Sequence, residues 1–95
     1  MDPGLDKADA LTPGRGWVAA EIKGSSEEPL SVVVESGVKV RPDLSLYGDV
    51  WLKPTLGQFG ADAGARIREN IDIYASGWGN TRGGWGASAG VQWRF

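Results

Sequence analysis

Two alternating runs flank a turn in the stretch Gly37-Val38-Lys39-Val40-Arg41-Pro42-Asp43-Leu44-Ser45-Leu46-Tyr47-Gly48. Apolar residues occupy every second position on both sides of Pro42-Asp43, which is the period of a β-strand with one apolar face. Proline also presets φ for a tight turn between two strands. The stretch therefore predicts a β-hairpin.

The hairpin pattern recurs from Gly64, 27 residues after Gly37, with Glu69-Asn70 in place of the Pro42-Asp43 turn. Asparagine tolerates the left-handed backbone that tight hairpins use. Residues 90–95 match the first half of the pattern a third time. A hairpin that repeats along the chain indicates an antiparallel up-and-down meander.

Alternation extends outward from both hairpins and predicts about six strands, at residues 17–23, 30–41, 44–53, 58–68, 71–80 and 85–95. Globular strands average about 5 to 6 residues, whereas strands that cross a membrane need about 9 to 11. Because the last five predicted strands all reach that length, they favour a spanning sheet. Residues 1–15 show little periodicity, so they are predicted to be a flexible arm or linker before a β-meander at residues 16–95.

In the final stretch Gly90-Val91-Gln92-Trp93-Arg94-Phe95, an apolar residue and two aromatic residues occupy alternate positions after a glycine, with glutamine and arginine between them. This pattern resembles the closing strand of bacterial outer-membrane β-barrels. In that family the strand is read by the outer-membrane assembly machinery, so the resemblance implies that Gly90, Val91, Trp93 and Phe95 form an assembly signal. Short turns at one rim, with longer loops at 24–29, 54–57 and 80–84 at the other, are also typical of the family.

The resemblance implies an all-β fold that is part of a transmembrane β-barrel, with the lipid bilayer as a partner. Bacterial single-chain barrels start at 8 strands, so about six strands require closure by a homo-oligomer or by remaining barrel strands. The implied function is a pore or membrane anchor with a polar lumen. The implied location is the outer membrane of a Gram-negative-type bacterium.

Charged residues of both signs share one face of the predicted sheet. An unpaired charge at mid-bilayer costs about 2 to 4 kcal/mol, so this face must point into a lumen if the sheet spans a membrane. The predicted lumen-lining residues are Glu35, Lys39, Arg41, Asp49, Lys53, Asp62, Arg66, Arg68, Asp72 and Arg94. On the apolar face, Phe59 and Trp85 near one rim and Trp93 and Phe95 near the other predict two aromatic girdles.

Four aromatic residues, Tyr47, Trp51, Tyr74 and Trp78, fall on the polar face at matching positions of the repeat. One interpretation is a platform for sugar rings or bases, since stacking contributes about 1 to 3 kcal/mol per base. The other is that these rings fill the narrow interior of a small barrel. A net charge of −2 favours the second interpretation and predicts that nucleic acid is not a partner.

The composition argues against catalysis. The chain has neither cysteine nor histidine, which removes the usual zinc ligands and the pairs of a nucleophile with imidazole. No carboxylate pair has the setting of a general acid and base. We therefore predict a protein that is not an enzyme, with no catalytic residues, no metal site and no cofactor.

The alternative is a soluble β-rich structural or surface-binding domain, for example a virion component or a carbohydrate-binding module, located in a virion or outside the cell. In that case the apolar face forms the hydrophobic core and the charged face is exposed to solvent. This alternative explains the alternation equally well. It also suits a set of small residues that makes part of the apolar face weakly hydrophobic, namely Ala61, Ala63, Ala65, Ala75, Gly77, Gly79, Ala87 and Ala89.

Overall fold

The structure, a computed structural model, describes residues 3–95 and contains one sheet of six antiparallel strands in the order of the sequence. The strands are β1 (Gly16–Lys23), β2 (Ser31–Arg41), β3 (Leu44–Lys53), β4 (Gln58–Ile67), β5 (Ile71–Asn80) and β6 (Trp85–Trp93). The predicted all-β antiparallel meander is therefore confirmed. β1 and β6 do not pair with each other, so the described sheet is open and not a closed barrel.

The predicted arm contains a helix, α1, at Pro3–Asp9. Leu5 and Ala8, three positions apart, are 2 % and 0 % exposed and face the sheet. A helix of seven residues is too short to be stable by itself, so its packing on β2, β3 and β4 holds it. Residues 1 and 2 of the predicted arm lie outside the described residues. Within residues 3–95, no helix is long and apolar enough to span a membrane.

Both short turns lie at one end of the sheet, which we call the short-turn rim, and the loops at 24–30, 54–57 and 81–84 lie at the opposite, long-loop rim. The turn at 42–43 is as predicted, but the second turn differs. β4 ends at Ile67, and the turn takes three residues, 68–70, with φ of 57° at Arg68 and 67° at Glu69. The left-handed conformations therefore fall on these two residues and not on Asn70.

Arg68, Arg94 and Phe95, which were predicted as strand residues, lie outside the strands. Arg68, predicted as a strand residue that lines a lumen, belongs to the short turn and is exposed. β6 ends at Trp93, so Arg94 and Phe95 follow the strand. The Arg94 amide nevertheless donates to the carbonyl of Asn70 at 2.7 Å, which continues the pairing of β6 with β5 by one residue.

Apart from a register shift between Lys39 and Arg41 on β2, the strands pair in constant register, so residues form straight rows across the polar face. One row alternates aromatic residues with glycine through Trp17, Gly37, Tyr47, Gly64, Tyr74 and Gly90. Nearer the long-loop rim, a second row alternates in the same way through Trp51, Gly60, Trp78 and Gly86. Between them lies a row in which Glu35, Asp49 and Asp62, here called the acidic row, are followed by two serines.

Burial is reversed with respect to an ordinary soluble sheet. The buried side chains of the sheet belong to the polar face, where Ser45, Arg66 and Asp72 are 0 %, 6 % and 4 % exposed. The apolar face is open, as Val18 at 77 % and Val91 at 67 % illustrate. The core of the described structure therefore lies between α1 and the polar face.

Candidate functional site

Arg66 on β4 is the centre of the contact between α1 and the sheet. Its guanidinium donates to both carboxylate oxygens of Asp72 on β5, at 2.9 and 3.0 Å, in a bidentate arrangement. It also reaches Asp6 at 2.8 Å and Asp9 at 3.5 Å on α1. Planar bidentate pairing of this kind is geometrically specific. One buried cation thus joins the helix to two neighbouring strands.

Asp9 receives a second set of contacts from the sheet. The Ser45 hydroxyl donates to its carboxylate at 3.0 Å, and the Lys39 ammonium lies 3.4 Å from it while also donating to its backbone carbonyl. Burial alone would raise the pKa of the Asp9 carboxyl, but the hydrogen bonds from Ser45 and Lys39 and the nearby charges outweigh burial and lower that pKa below 3.8. We call Asp6, Asp9, Lys39, Ser45 and Arg66 the docking cluster.

Aromatic contacts extend the docking of α1 towards β1. The Tyr47 ring occupies the space beside Gly4, where a β-carbon would collide with it. Tyr47 also stacks on Trp17, with ring centroids 6.0 Å apart, and the Lys7 ammonium lies 4.5 Å above the Trp17 ring. A cation over an indole face is favourable even at exposed sites. The helix is therefore positioned by packing as well as by ion pairs.

The acidic row lies immediately beyond Tyr47. The Tyr47 hydroxyl is within donating distance of Glu35 at 2.9 Å and of Asp49 at 3.1 Å, and Asp49 stands directly opposite Asp62. Within residues 3–95, no lysine or arginine forms an ion pair with these three carboxylates. A cavity of about 470 Å³ opens beside Leu5 and is bordered by Asp49, Asp62 and Asp72.

The predicted lumen-lining residues therefore separate into groups along the polar face. Lys39, Arg66, Asp72 and Arg94 gather at the short-turn side, where Arg94 binds Asp72 at 2.7 Å. Glu35, Asp49 and Asp62 form the acidic row. Arg41 pairs with Asp43 at the exposed rim at 3.5 Å, and Lys53 lies 5.7 Å above Trp51 near the opposite rim. Arg68 joins none of these groups.

The predicted girdle residues lie at the two rims of the apolar face. The Phe59 ring packs against Gly79, which pairs in turn with Trp85, so both aromatic residues share one row near the long-loop rim. Trp93 pairs with Ile71 at the other rim and is 65 % exposed. Of the predicted assembly signal, Gly90, Val91 and Trp93 lie on β6, while Phe95 follows it fully exposed.

The four aromatic residues proposed as a platform lie in two rows. Trp51, Trp78 and Tyr74 each lie against a glycine of the following strand, at Gly60, Gly86 and Gly90. A β-carbon at Gly60 would be 2.5 Å from the Trp51 ring, and one at Gly90 would be 2.5 Å from the Tyr74 ring. Their faces are thus used in packing across the sheet, and a strand separates Tyr47 from Tyr74.

Sequence reasoning missed the residues of α1. Leu5, Asp6, Ala8 and Asp9 supply its packing and ion pairs, but all fall in the segment interpreted as an arm. Two signals were present: Pro3 suits the first turn of a helix, and Leu5 and Ala8 have the spacing of a helical face. One turn of such a pattern is too short to separate a helix from chance.

Residues 3–95 contain no group of histidine, cysteine, aspartate or glutamate side chains arranged to hold a metal ion. The arrangement instead combines an accessible polar face, a docked helix and an exposed apolar face. No protein-family model matches the chain, and comparison with curated proteins and with solved structures also found no match.

Proposed function

We propose that the protein is a component of an outer-membrane β-barrel, in which the polar face lines an aqueous lumen and the apolar face contacts lipid. It would act as a pore or a membrane anchor, without catalysis. The observation that carries this proposal is the reversed burial of the sheet. Polar side chains and α1 share the protected side, while the apolar side chains are exposed.

Every strand has at least one large apolar residue exposed on the apolar face. Val18, Ile22 and Trp85 are 77 %, 72 % and 76 % exposed, and Val50 in the middle of the sheet is 54 % exposed. Monomeric soluble proteins rarely expose contiguous apolar patches beyond a few hundred Å². A face of this kind requires either lipid or a large protein partner.

The dimensions of the sheet fit a bilayer. β3, β4 and β5 each contain 10 residues. At about 3.3 Å per residue such a strand is about 33 Å long, and a tilt of about 40° reduces its height to about 25 Å, the height of the apolar band on outer-membrane barrels. Phe59 and Trp85 at one rim and Trp93 at the other would then lie at the two interfaces.

The polar face also fits a lumen. Its charges would be costly in lipid. They instead form ion pairs with α1 or with one another, or they border the open cavity. In this arrangement α1 lies inside the lumen and narrows it. The soluble alternative leaves the apolar face without a covering layer within residues 3–95, and it is retained as an outcome of the following test.

The test uses nitroxide labels at three consecutive positions of β6, introduced as Ala87→Cys, Ser88→Cys and Ala89→Cys. The chain has no native cysteine, and all three side chains are small and exposed. The protein is reconstituted in lipid vesicles, and collision of each label with oxygen, which concentrates in lipid, is compared with collision with a water-soluble nickel complex. We expect oxygen to dominate at positions 87 and 89 and the nickel complex to dominate at position 88.

The same three labels distinguish the alternative. If all three labels contact the nickel complex equally, or if the protein does not enter vesicles, the membrane proposal is wrong. Reversed alternation, with position 88 in lipid, would contradict the assignment of the faces. A matched pair on an interior strand, Ala75→Cys and Ser76→Cys, should repeat the pattern of positions 87 and 88.

A further inference from the structure

The outer edge of β6 lacks the features that keep an edge strand from pairing. Its sequence, Trp-Gly-Ala-Ser-Ala-Gly-Val-Gln-Trp, contains no charged residue and no proline. Natural edge strands are normally protected by charges, proline, bulges or a covering segment. No segment of residues 3–95 pairs with this edge. The outer edge of β6 is therefore suited to receive a strand.

The outer edge of β1 has the matching geometry. β1 begins and β6 ends at the short-turn rim, and the two strands run antiparallel because the chain direction reverses five times between them. A second sheet placed beside the first would thus bring β1 against β6 in the same sense as β2 against β3 or β4 against β5. Polar and apolar faces would also continue across the seam.

The alternation of aromatic residues and glycine supports the same continuation. Each chain contains three long-loop hairpins in which an aromatic strand precedes a glycine strand, as in Trp17 with Gly37 and Tyr74 with Gly90. The sheet starts with an aromatic strand and ends with a glycine strand. A second copy would place an aromatic strand after the glycine strand β6, the same order as at β2–β3 and β4–β5, with the rows of the two copies displaced along the strands.

We infer that β6 of one copy pairs antiparallel with β1 of a second copy of this chain, so that identical chains close a common barrel. This inference rests on the proposed function, because closure is needed to satisfy edge amides and carbonyls in lipid. Two copies would give twelve strands and three would give eighteen. Each contact between copies is heterologous, because two different edges meet. Such contacts form a ring when the rotation from one copy to the next closes on the first copy.

The seam between copies differs from the seams within a chain in one respect. β3, β4, β5 and β6 pair in straight rows with no slip. Strands of a closed barrel tilt by about 35 to 45°. This tilt requires a stagger: when the pairing is followed once around the barrel, it returns to the first strand displaced by several residues. Because the row from Trp17 to Gly90 crosses all six strands without displacement, the seam between copies must supply the stagger. Trp17 of one copy therefore does not stand directly opposite Gly90 of the next.

Cysteine pairs test the seam over a range of registers. Ala19, Glu21 and Lys23 of β1 and Ser88 and Gln92 of β6 share the polar face. Combining one position from each strand gives six double-cysteine variants. They cover displacements from zero to about eight residues along the strands, counted from the register in which Trp17 would stand opposite Gly90. After oxidation in vesicles, we expect at least one variant to give a ladder of covalent oligomers on non-reducing gels, which collapses on reduction. The largest species gives the number of copies.

Two controls identify the pairing partner. The double variant Ser76→Cys, Ser88→Cys joins strands of one chain, because these hydroxyls are 2.6 Å apart, and it should oxidise without forming a ladder. Copies that carry only the successful β1 cysteine, co-expressed with copies that carry only the β6 cysteine, should give covalent dimers and nothing larger. Differently tagged copies should also co-purify in detergent.

The outcomes separate this inference from the proposed function. If the nitroxide labels show a membrane-embedded sheet but differently tagged copies do not co-purify, another chain or further strands close the barrel and the inference is wrong. If copies co-purify but disulfides form only between two β1 cysteines or between two β6 cysteines, the proposed pairing of β6 with β1 is wrong. If the sheet does not enter lipid, the proposed function fails first.

Discussion

Arg66 shows how one residue can determine the position of a whole element. It is 6 % exposed and contacts carboxylates of Asp6, Asp9 and Asp72. Its removal would leave Asp72 buried with Arg94 as its remaining partner. Breaking a buried ion pair by deleting one partner costs several kcal/mol, because the other charge stays buried. The residue therefore contributes both to stability and to the docking of α1.

We expect Arg66→Met to lower the free energy of unfolding by about 3 kcal/mol, at the low end for a broken buried pair because Arg94 still binds Asp72. Urea unfolding in detergent micelles measures the effect. The matched control is Arg41→Met, since Arg41 and Asp43 are 66 % and 58 % exposed. The control should change stability by no more than about 0.5 kcal/mol. Equal effects of the two substitutions would contradict the role of Arg66.

The contact between Trp51 and Gly60 can be tested with a single methyl group. A β-carbon at Gly60 would lie 2.5 Å from the Trp51 ring, so the ring must move. We expect Gly60→Ala to destabilise the protein by about 1 to 3 kcal/mol, the usual cost of overpacking. The control is Gly77→Ala, where the new carbon would meet Gly86 O at 3.7 Å in ordinary contact. If both variants unfold at the same urea concentration, the aromatic rows do not depend on glycine.

The docking of α1 depends on pH. Its docking uses the ionised Asp9 carboxylate, whose pKa is lowered below 3.8 by Ser45, Lys39 and Arg66 despite burial. A carboxyl with a lowered pKa in the docked state contributes its full stabilisation above pH 3.8 and loses it as the pH falls through the lowered value. Docking of α1 should therefore persist at neutral pH and fail in acid.

We expect a nitroxide at Ala10→Cys to be immobile from neutral pH down to about pH 4 and to become mobile at lower pH, as protonation removes the bonds to Asp9. Ala10 is exposed directly after α1, so the label leaves the contact of Lys7 with Trp17 intact. The variant Asp9→Asn should be mobile already at neutral pH and should show no acid transition of this kind. An unchanged transition in Asp9→Asn would exclude Asp9 as the responsible group.

β6 carries the predicted assembly signal, and its terminal ring can be tested separately from the sheet. Phe95 follows β6 and is fully exposed, so Phe95→Ser removes no packing within residues 3–95. We expect this variant to be expressed normally but to reach the outer membrane at a fraction of the normal level. Trp85→Ser, which removes an exposed aromatic ring of β6 at the opposite rim, is the matched control. A larger assembly defect in Trp85→Ser would argue against a signal at Phe95.

For the molecule as a whole, the reversed burial predicts its behaviour in solution. A sheet with Val18, Val50 and Val91 exposed on one face needs lipid, detergent or a protein partner to cover that face. We expect the purified protein to associate heterogeneously in buffer and to form a defined species in detergent. Sedimentation with and without detergent measures this. A monodisperse monomer in buffer alone would contradict the membrane proposal.

The strands and their faces could be predicted from the sequence because alternation is a local property. The hairpin at 42–43, the strand length and the grouping of polar side chains on one face follow directly from Val38, Val40, Leu44 and Leu46. The second turn was less predictable, since Arg68 and Glu69 adopt φ values that their residue types rarely prefer. Cross-strand pairing of Ile67 with Ile71 imposes these values.

By itself, the sequence determined that about six strands, five of them long, alternate between an apolar and a polar face, because period-two patterning and turn residues are encoded by neighbours along the chain. Only the tertiary structure decided which face is protected and where α1 lies. Those outcomes depend on contacts between distant residues, such as Arg66 with Asp6 and Tyr47 with Gly4. The free energy of such contacts depends on three-dimensional proximity, which alternation along one strand does not record.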